Sequence, residues 1–124
     1  MRFVPILYVT DIQRALAFYS DVLDFTVAPY DRDLTSPVID LLRDGAKLQL
    51  TTLRENPPSI AINVDVREVD ELFKKYLSRG LDPSIKAGSP IHQGPLDQSW
   101  GTREFYVTDP DGNTLRFRSE ASEA

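Results

Sequence analysis

The chain has 124 residues, 41% of them hydrophobic and none of them cysteine, so one domain can bury a core without disulfides, and a thiolate metal site or a cysteine nucleophile is excluded. Fourteen basic against nineteen acidic side chains give a net charge of -5 with no Lys/Arg cluster, which speaks against a nucleic-acid partner. The start, Met1-Arg2-Phe3-Val4-Pro5, lacks the apolar run of a signal peptide, and nowhere do about 18 uncharged apolar residues follow one another, so a cytoplasmic protein with no membrane partner is expected.

Phe3 to Val9 is apolar and β-branched enough for a strand, with Pro5 near its start. Thr10 with Gln13 reads as a capping box, and Ile12, Ala15, Leu16, Tyr19, Val22 and Leu23 recur at helical spacing, which predicts a helix near Ile12 to Leu23 with one buried stripe. Phe25 to Tyr30, Val38 to Leu42 and Lys47 to Thr52 read as strands, the last two joined by an Arg43-Asp44-Gly45 turn. Residues 54–59, with Asn56-Pro57-Pro58, form a stiff connector. The order then repeats. Ile60 to Val66 is a strand; Asp65 with Glu68 can cap a helix near Glu68 to Arg79, whose apolar stripe is Val69, Leu72, Phe73, Tyr76 and Leu77 and which Gly80 stops. Gly88 to Trp100 reads as a long loop, a kind of segment that is commonly functional in compact domains. Thr102 to Thr108 and Thr114 to Arg118 are two strands joined by Asp109-Pro110-Asp111-Gly112-Asn113, where Pro fixes φ while Gly and Asn tolerate positive φ. Ser119 to Ala124 is a small acidic tail expected to fray.

Asp44-Gly45 with Leu48-Gln49-Leu50 matches Asp111-Gly112 with Leu115-Arg116-Phe117, and Ile12, Leu16 and Tyr19 match Val69, Phe73 and Tyr76. A module of about 60 residues is thus duplicated. The fold class expected is α+β, two βαβββ modules at about 1–53 and 60–118 within one domain spanning 1–124. On the last strand Leu115 and Phe117 alternate with Arg116 and Arg118, and on the matching strand Leu48 and Leu50 alternate with Lys47, Gln49 and Thr51, so one face packs and the other carries polar groups. Three cations on that face favour a ligand that is small and polar or anionic over a cationic drug.

Arg116 reads two ways, as a fork for a carboxylate or phosphate or as half of an internal ion pair with Glu104 or an Asp. Gln49 is a ligand contact or a cross-strand hydrogen bond to Arg116, and Trp100 a stacking surface for a flat ligand or a plug over the sheet. His92, the one histidine, stands in Pro90-Ile91-His92-Gln93-Gly94 with no recognisable nucleophile motif and reads as a solvated loop residue. Tyr19 and Tyr76 fall in the buried stripes, and Asp109 and Asp111 read as turn formers with local backbone roles.

Val9-Thr10-Asp11-Ile12 leading into Ala15-Leu16-Ala17-Phe18-Tyr19 and Leu23-Asp24-Phe25, with the closing Trp100-Gly101-Thr102-Arg103-Glu104-Phe105 and Asp109-Pro110-Asp111-Gly112-Asn113, resembles the vicinal-oxygen-chelate superfamily. That superfamily holds glyoxalases, extradiol dioxygenases, fosfomycin-resistance transferases and bleomycin-resistance proteins. The resemblance spans the whole chain. Val4-Pro5-Ile6-Leu7 and the phrase from Trp100 to Phe105, with one extra residue between Gly101 and Arg103, look most like the bleomycin-resistance branch. The fold implied is a concave mixed sheet built from the two modules around a cleft.

In the metalloenzyme branches the resemblance puts ligands on the first and fourth strands of each module, and the matching positions here are Val4, Gln49, Ser59 and Arg116. Val offers no donor, Ser is a weak ligand and Arg is a permanent cation, so no metal and no cofactor is expected. The bleomycin-resistance branch is likewise metal-free, and its acidic, domain-swapped dimers hold a cationic drug in clefts between subunits. A homodimer is therefore implied, and the Pro57-Pro58 connector between like halves also favours it. Where that branch is rich in aromatic residues on the strand after the connector, this chain has Ser59, Ala61 and Asn63.

The ligand-binding residues expected are Gln49, Ser59, Asn63, Trp100, Tyr106 and Arg116, with no catalytic residue assigned. Two functional classes stay open. The first is a metal-free protein that binds and sequesters a small molecule or antibiotic. The alternative is a lyase, isomerase or dioxygenase-like enzyme of the same superfamily, either metal-independent through Glu104, Tyr106 and His92 or metal-dependent through ligands shifted from these positions. Binding leads, because no motif supplies a reaction type.

Overall fold

The computed structural model describes residues 1–56, 58–83 and 94–121, so Pro57, His92 and the 88–93 part of the 88–100 loop lie outside the described residues. The chain divides into two compact units, Met1–Ile60 with Asp109–Asn113, and Ala61–Thr108 with Thr114–Ala124. Each follows the βαβββ order that the repeat implies, which makes the protein α+β.

In the first unit, strands β1 (Ile6–Tyr8), β2 (Thr26–Val27), β3 (Val38–Arg43) and β4 (Ala46–Thr51) form a sheet ordered β1-β4-β3-β2, with β1 parallel to β4 and the others antiparallel. Helix α1 (Ile12–Leu16) continues as a π-helical stretch, Ala17–Val22, which the Leu23 N–H closes on the Phe18 carbonyl at 3.1 Å. Its first turn is capped by Asp11, whose backbone is extended and whose carboxylate accepts the Gln13 and Arg14 N–H groups. The capping-box reading of Thr10 is thereby corrected: one residue earlier in the chain, it is spent on a contact to Asp111. Leu7, Ile39, Leu41 and Leu50 from the sheet and Ala15 and Tyr19 from the helical segment are fully buried, so the alternation in β3 and β4 sorts packing residues from polar ones as anticipated.

The second unit repeats the plan with β5 (Ala61–Asp65), α2 (Val69–Ser78), β6 (Leu96–Asp97), β7 (Thr102–Thr108) and β8 (Thr114–Glu120), ordered β5-β8-β7-β6 with β5 parallel to β8. Phe105 and Phe117 stack at 5.1 Å between ring centres, and Tyr76 and Phe73 of α2 meet them edge-on, which anchors the helix to the sheet. Glu68 occupies the N-cap position of α2 without a side-chain bond, and Asp65 ends β5 instead of capping the helix. At the other end Gly80, with φ +101, lets its own N–H reach Leu77 and that of Leu81 reach Tyr76, the double closure of a Schellman motif. The loop expected before the final hairpin contains a short strand, β6, whose two residues fall below the length at which periodicity speaks.

The turn of that hairpin, Asp109–Asn113, belongs to the first unit although the strands it joins belong to the second. Asp109 accepts the Asp111 and Asn113 N–H groups and the Tyr19 hydroxyl, the last at 2.7 Å. Asn113 donates to the Tyr8 carbonyl and accepts the Ile60 N–H, while Asp111 accepts both the N–H and the hydroxyl of Thr10. Asp109 and Asp111 are therefore long-range ties as well as turn formers.

Candidate functional site

In the second unit, register places Asn63 of β5, Arg116 of β8 and Tyr106 of β7 side by side, with Asp65, Arg118 and Glu104 in the next row of the same face. The opposite face carries Ile62, Val64, Leu115, Phe117, Phe105 and Val107 toward the core, so every residue of these rows is polar because the period-two pattern puts it there. Glu104 is the centre of this face. It is fully buried, and four side chains donate to it: the Trp100 indole N–H at 2.8 Å and the Thr102 hydroxyl to Oε2, the Tyr106 hydroxyl at 3.2 Å and Arg116 Nη2 at 3.3 Å to Oε1. The Arg116 guanidinium also lies over the Tyr106 ring, 4.9 Å from its centre.

Burial alone would raise the pKa of Glu104, but the hydrogen bonds from Thr102, Trp100, Tyr106 and Arg116 together outweigh it and hold the carboxyl below the usual range. Burial pushes the Tyr106 hydroxyl up; Arg116 pulls it down and the Glu104 carboxylate pushes it up again, with a net rise. Glu104 is thus a permanent anion and Tyr106 a permanent neutral donor near neutral pH.

The first unit holds a related cluster. Asp40 of β3 accepts the Tyr30 hydroxyl, the Gln49 side-chain amide at 3.1 Å and the Lys47 ammonium at 3.4 Å, and Lys47 lies over the Tyr30 ring at 5.1 Å. A cation on the fourth strand, stacked on a tyrosine that donates to the same carboxylate, therefore occurs once in each unit. Gln49 bonds to Asp40, so the cross-strand partner expected for it, Arg116, is replaced by its own sheet neighbour.

Of the anticipated site residues, Asn63, Tyr106 and Arg116 share one row of the second unit, and Trp100 joins them through Glu104 with 60% of its surface exposed. Gln49 lies on the polar face of the first unit. Ser59 precedes β5 and donates to the Asp111 carbonyl at 3.2 Å, so it does not share the Asn63–Arg116–Tyr106 row. In the register, Ile6 is the partner of Gln49 and Asn63 that of Arg116. Ile6, like Val4, offers no lone pair and Arg116 is a cation, which leaves the donor chemistry unsuited to a divalent metal. Among the described residues, no three His, Cys, Asp or Glu side chains come together as a coordination shell.

The expectation of a cationic face needs amendment. Lys47 pairs with Asp40, Arg116 with Glu104 at 3.3 Å, and Arg118 with Asp65 at 2.6 Å, so each cation has a carboxylate beside it. Asp40, Tyr30 and Thr102 were not legible as members of these clusters. Asp40 carried a signal all the same, as an ionised residue set between the core positions Ile39 and Leu41.

Two βαβββ modules, each with a polar sheet face, define a chain of the glyoxalase-like class. Residues 2–117 match the sequence profile of the Glyoxalase/Bleomycin resistance protein/Dioxygenase superfamily, and the chain belongs to that family. It is 24% identical to the bleomycin resistance protein of Geobacillus stearothermophilus over 94% of this chain and 95% of the relative. A bleomycin-binding protein solved in complex with bleomycin superposes with a TM-score of 0.77 at 23% identity, covering 98% of this chain and 99% of the other. The bleomycin resistance determinant of transposon Tn5 superposes with a TM-score of 0.76 at 21% identity, over 98% and 99% of the two chains.

Proposed function

We propose that the protein binds and sequesters a small molecule without transforming it, as a metal-free homodimer of the bleomycin-resistance type. The observation that carries the reading is the saturation of Glu104: a carboxylate that accepts four hydrogen bonds and is held below the usual range is a poor general base, and Tyr106, held above its usual range, is a poor general acid. The metal-independent enzyme reading needed those two groups to exchange protons. Its third group, His92, lies outside the described residues. Similarity to bleomycin-binding proteins supports the same class of activity, while the aromatic-poor β5 positions Ala61 and Asn63 support a ligand other than bleomycin. The ligand residues proposed are Gln49, Asn63, Trp100, Tyr106 and Arg116.

A thermal-shift screen of antibiotics, aromatic acids and other metabolites tests this. A true ligand at 100 times its dissociation constant adds about 2.7 kcal/mol to stability, and recovery of that ligand chemically unchanged is the expected result. Turnover of the stabilising compound would overturn the reading. Light scattering is expected to give the mass of two chains.

A further inference from the structure

We infer that Arg116 and Asn63 form a recognition site for the carboxylate of a small planar ligand, an inference that rests on the sequestration reading and names the chemistry it would select. Arg116 is under-used by the protein. Its guanidinium has five N–H donors, and among the described residues it meets Glu104 through one bond from Nη2 at 3.3 Å, long for a charged pair, and the Tyr106 hydroxyl beside it. Nε is shut off from solvent with no acceptor among the described residues, so any further partner must come to the remaining N–H groups.

The pairing charge is also diluted. Glu104 divides its two oxygens among Trp100, Thr102, Tyr106 and Arg116, so the guanidinium receives only a share of the carboxylate it faces. About a third of the Arg116 side chain, 32%, remains exposed. Its neighbour across the sheet, Asn63, is exposed, and its carboxamide bonds to no described residue, which leaves an N–H donor about 4.8 Å away in strand spacing from the row of Arg116. Tyr106 fixes the plane of the guanidinium from the other side. A planar fork beside an in-row amide donor matches two carboxylate oxygens; a ligand cation would meet Arg116 head on.

Trp100 supplies the reporter. It is the single tryptophan, and its indole N–H sits on the carboxylate that Arg116 also touches, so its one side-chain N–H resonance reads any change in the Arg116–Glu104 pairing. Sodium benzoate and benzamidine hydrochloride, of like size and opposite charge, are titrated into the native full chain at constant ionic strength, and into Asn63→Ala and Arg116→Lys. Benzoate is expected to move the resonance saturably and benzamidine to bind at least tenfold more weakly. Arg116→Lys, which keeps the charge and removes the fork, is expected to lose at least tenfold in benzoate affinity, and Asn63→Ala, at an exposed site, a few-fold. Benzamidine binding as tightly as benzoate, no saturable benzoate shift, or benzoate affinity indifferent to Arg116→Lys would overturn the inference. Thermal-shift stabilisation by other compounds alongside any of those results would defeat the carboxylate site and leave sequestration standing; no stabilising compound of any class would defeat both.

Discussion

Glu104 shows how one residue acquires a role that its identity does not announce. A fully buried carboxylate is costly unless it is paired and hydrogen-bonded, and here four donors offset that cost. Because its folded-state pKa lies below the unfolded one, the stability it contributes is complete above the ordinary glutamate range near 4.3 and is lost as pH falls through the depressed folded value. Thermal melts are therefore expected to fall more steeply below about pH 4 in the native chain than in Glu104→Gln, which at neutral pH should be less stable by about 1 to 3 kcal/mol. A parallel melt series of the two proteins from pH 3 to 7 checks both statements; equal slopes would remove Glu104 from the account.

Tyr19 has the opposite sign. Burial first, then the Asp109 carboxylate, raise its hydroxyl well above the usual range, so its contribution is complete below about pH 10, where the unfolded phenol begins to ionise, and declines above it. Tyr19→Phe should lower stability by about 1 to 3 kcal/mol near neutrality, since it removes a 2.7 Å donor from the buried Asp109, and should flatten the alkaline decline. Denaturant unfolding at pH 7 and pH 10.5 measures both.

At the scale of elements, turns and caps decide where periodicity can only suggest. Gly112 has φ +86, and a Cβ there would lie 2.9 Å from the Ser59 hydroxyl oxygen, so Gly112→Ala combines backbone strain with a contact that must move. Gly45, at φ +80 in the matching turn, has nothing near its Cβ direction and suffers the backbone term alone. Gly112→Ala is expected to cost about 1 kcal/mol more than Gly45→Ala by denaturant unfolding, a difference that equal losses would contradict. Asp11→Ala removes the cap of α1 and should cost about 0.5 to 2 kcal/mol, whereas Glu68→Ala, at a position that makes no side-chain cap bond, should cost less.

Elements also mark the limit of local reading. Strands β3, β4, β7 and β8 and both helical segments follow from alternation, turn residues and apolar stripes, signals carried by neighbours in sequence. Strand β6 carries two residues, too few for a period to register, and exists because β7 offers an edge to pair with, while β2 keeps only Thr26 and Val27 of the strand read from Phe25 to Tyr30. The same limit explains the displaced cap at Asp11: Thr10 and Asp11 have equal local credentials, and a contact from Thr10 to Asp111, far along the chain, settles the choice.

For the molecule as a whole, the chain is interlaced. The first unit borrows Asp109–Asn113 from the middle of a hairpin whose strands build the second. A fragment beginning at Ala61 would leave Asp109 without Tyr19, Asp111 without Thr10 and Asn113 without Tyr8 and Ile60. The full chain is therefore expected to melt in one cooperative transition, and the fragment 61–124 to show little cooperative structure by circular dichroism; two separated transitions, or a stably folded fragment, would count against the interlacing.

What the amino-acid sequence determined by itself is the plan: a duplicated βαβββ module and the packing and polar faces of each long strand, from which Gln49, Ser59, Asn63, Trp100, Tyr106 and Arg116 are proposed as candidates. Alternation and repetition are properties of neighbouring residues, so they survive without coordinates. Tertiary structure alone decided which polar groups meet. It set Asn63 beside Arg116, gave Gln49 to Asp40, and gathered Trp100, Thr102, Tyr106 and Arg116 on Glu104, because strand register and side-chain reach depend on partners distant in the chain.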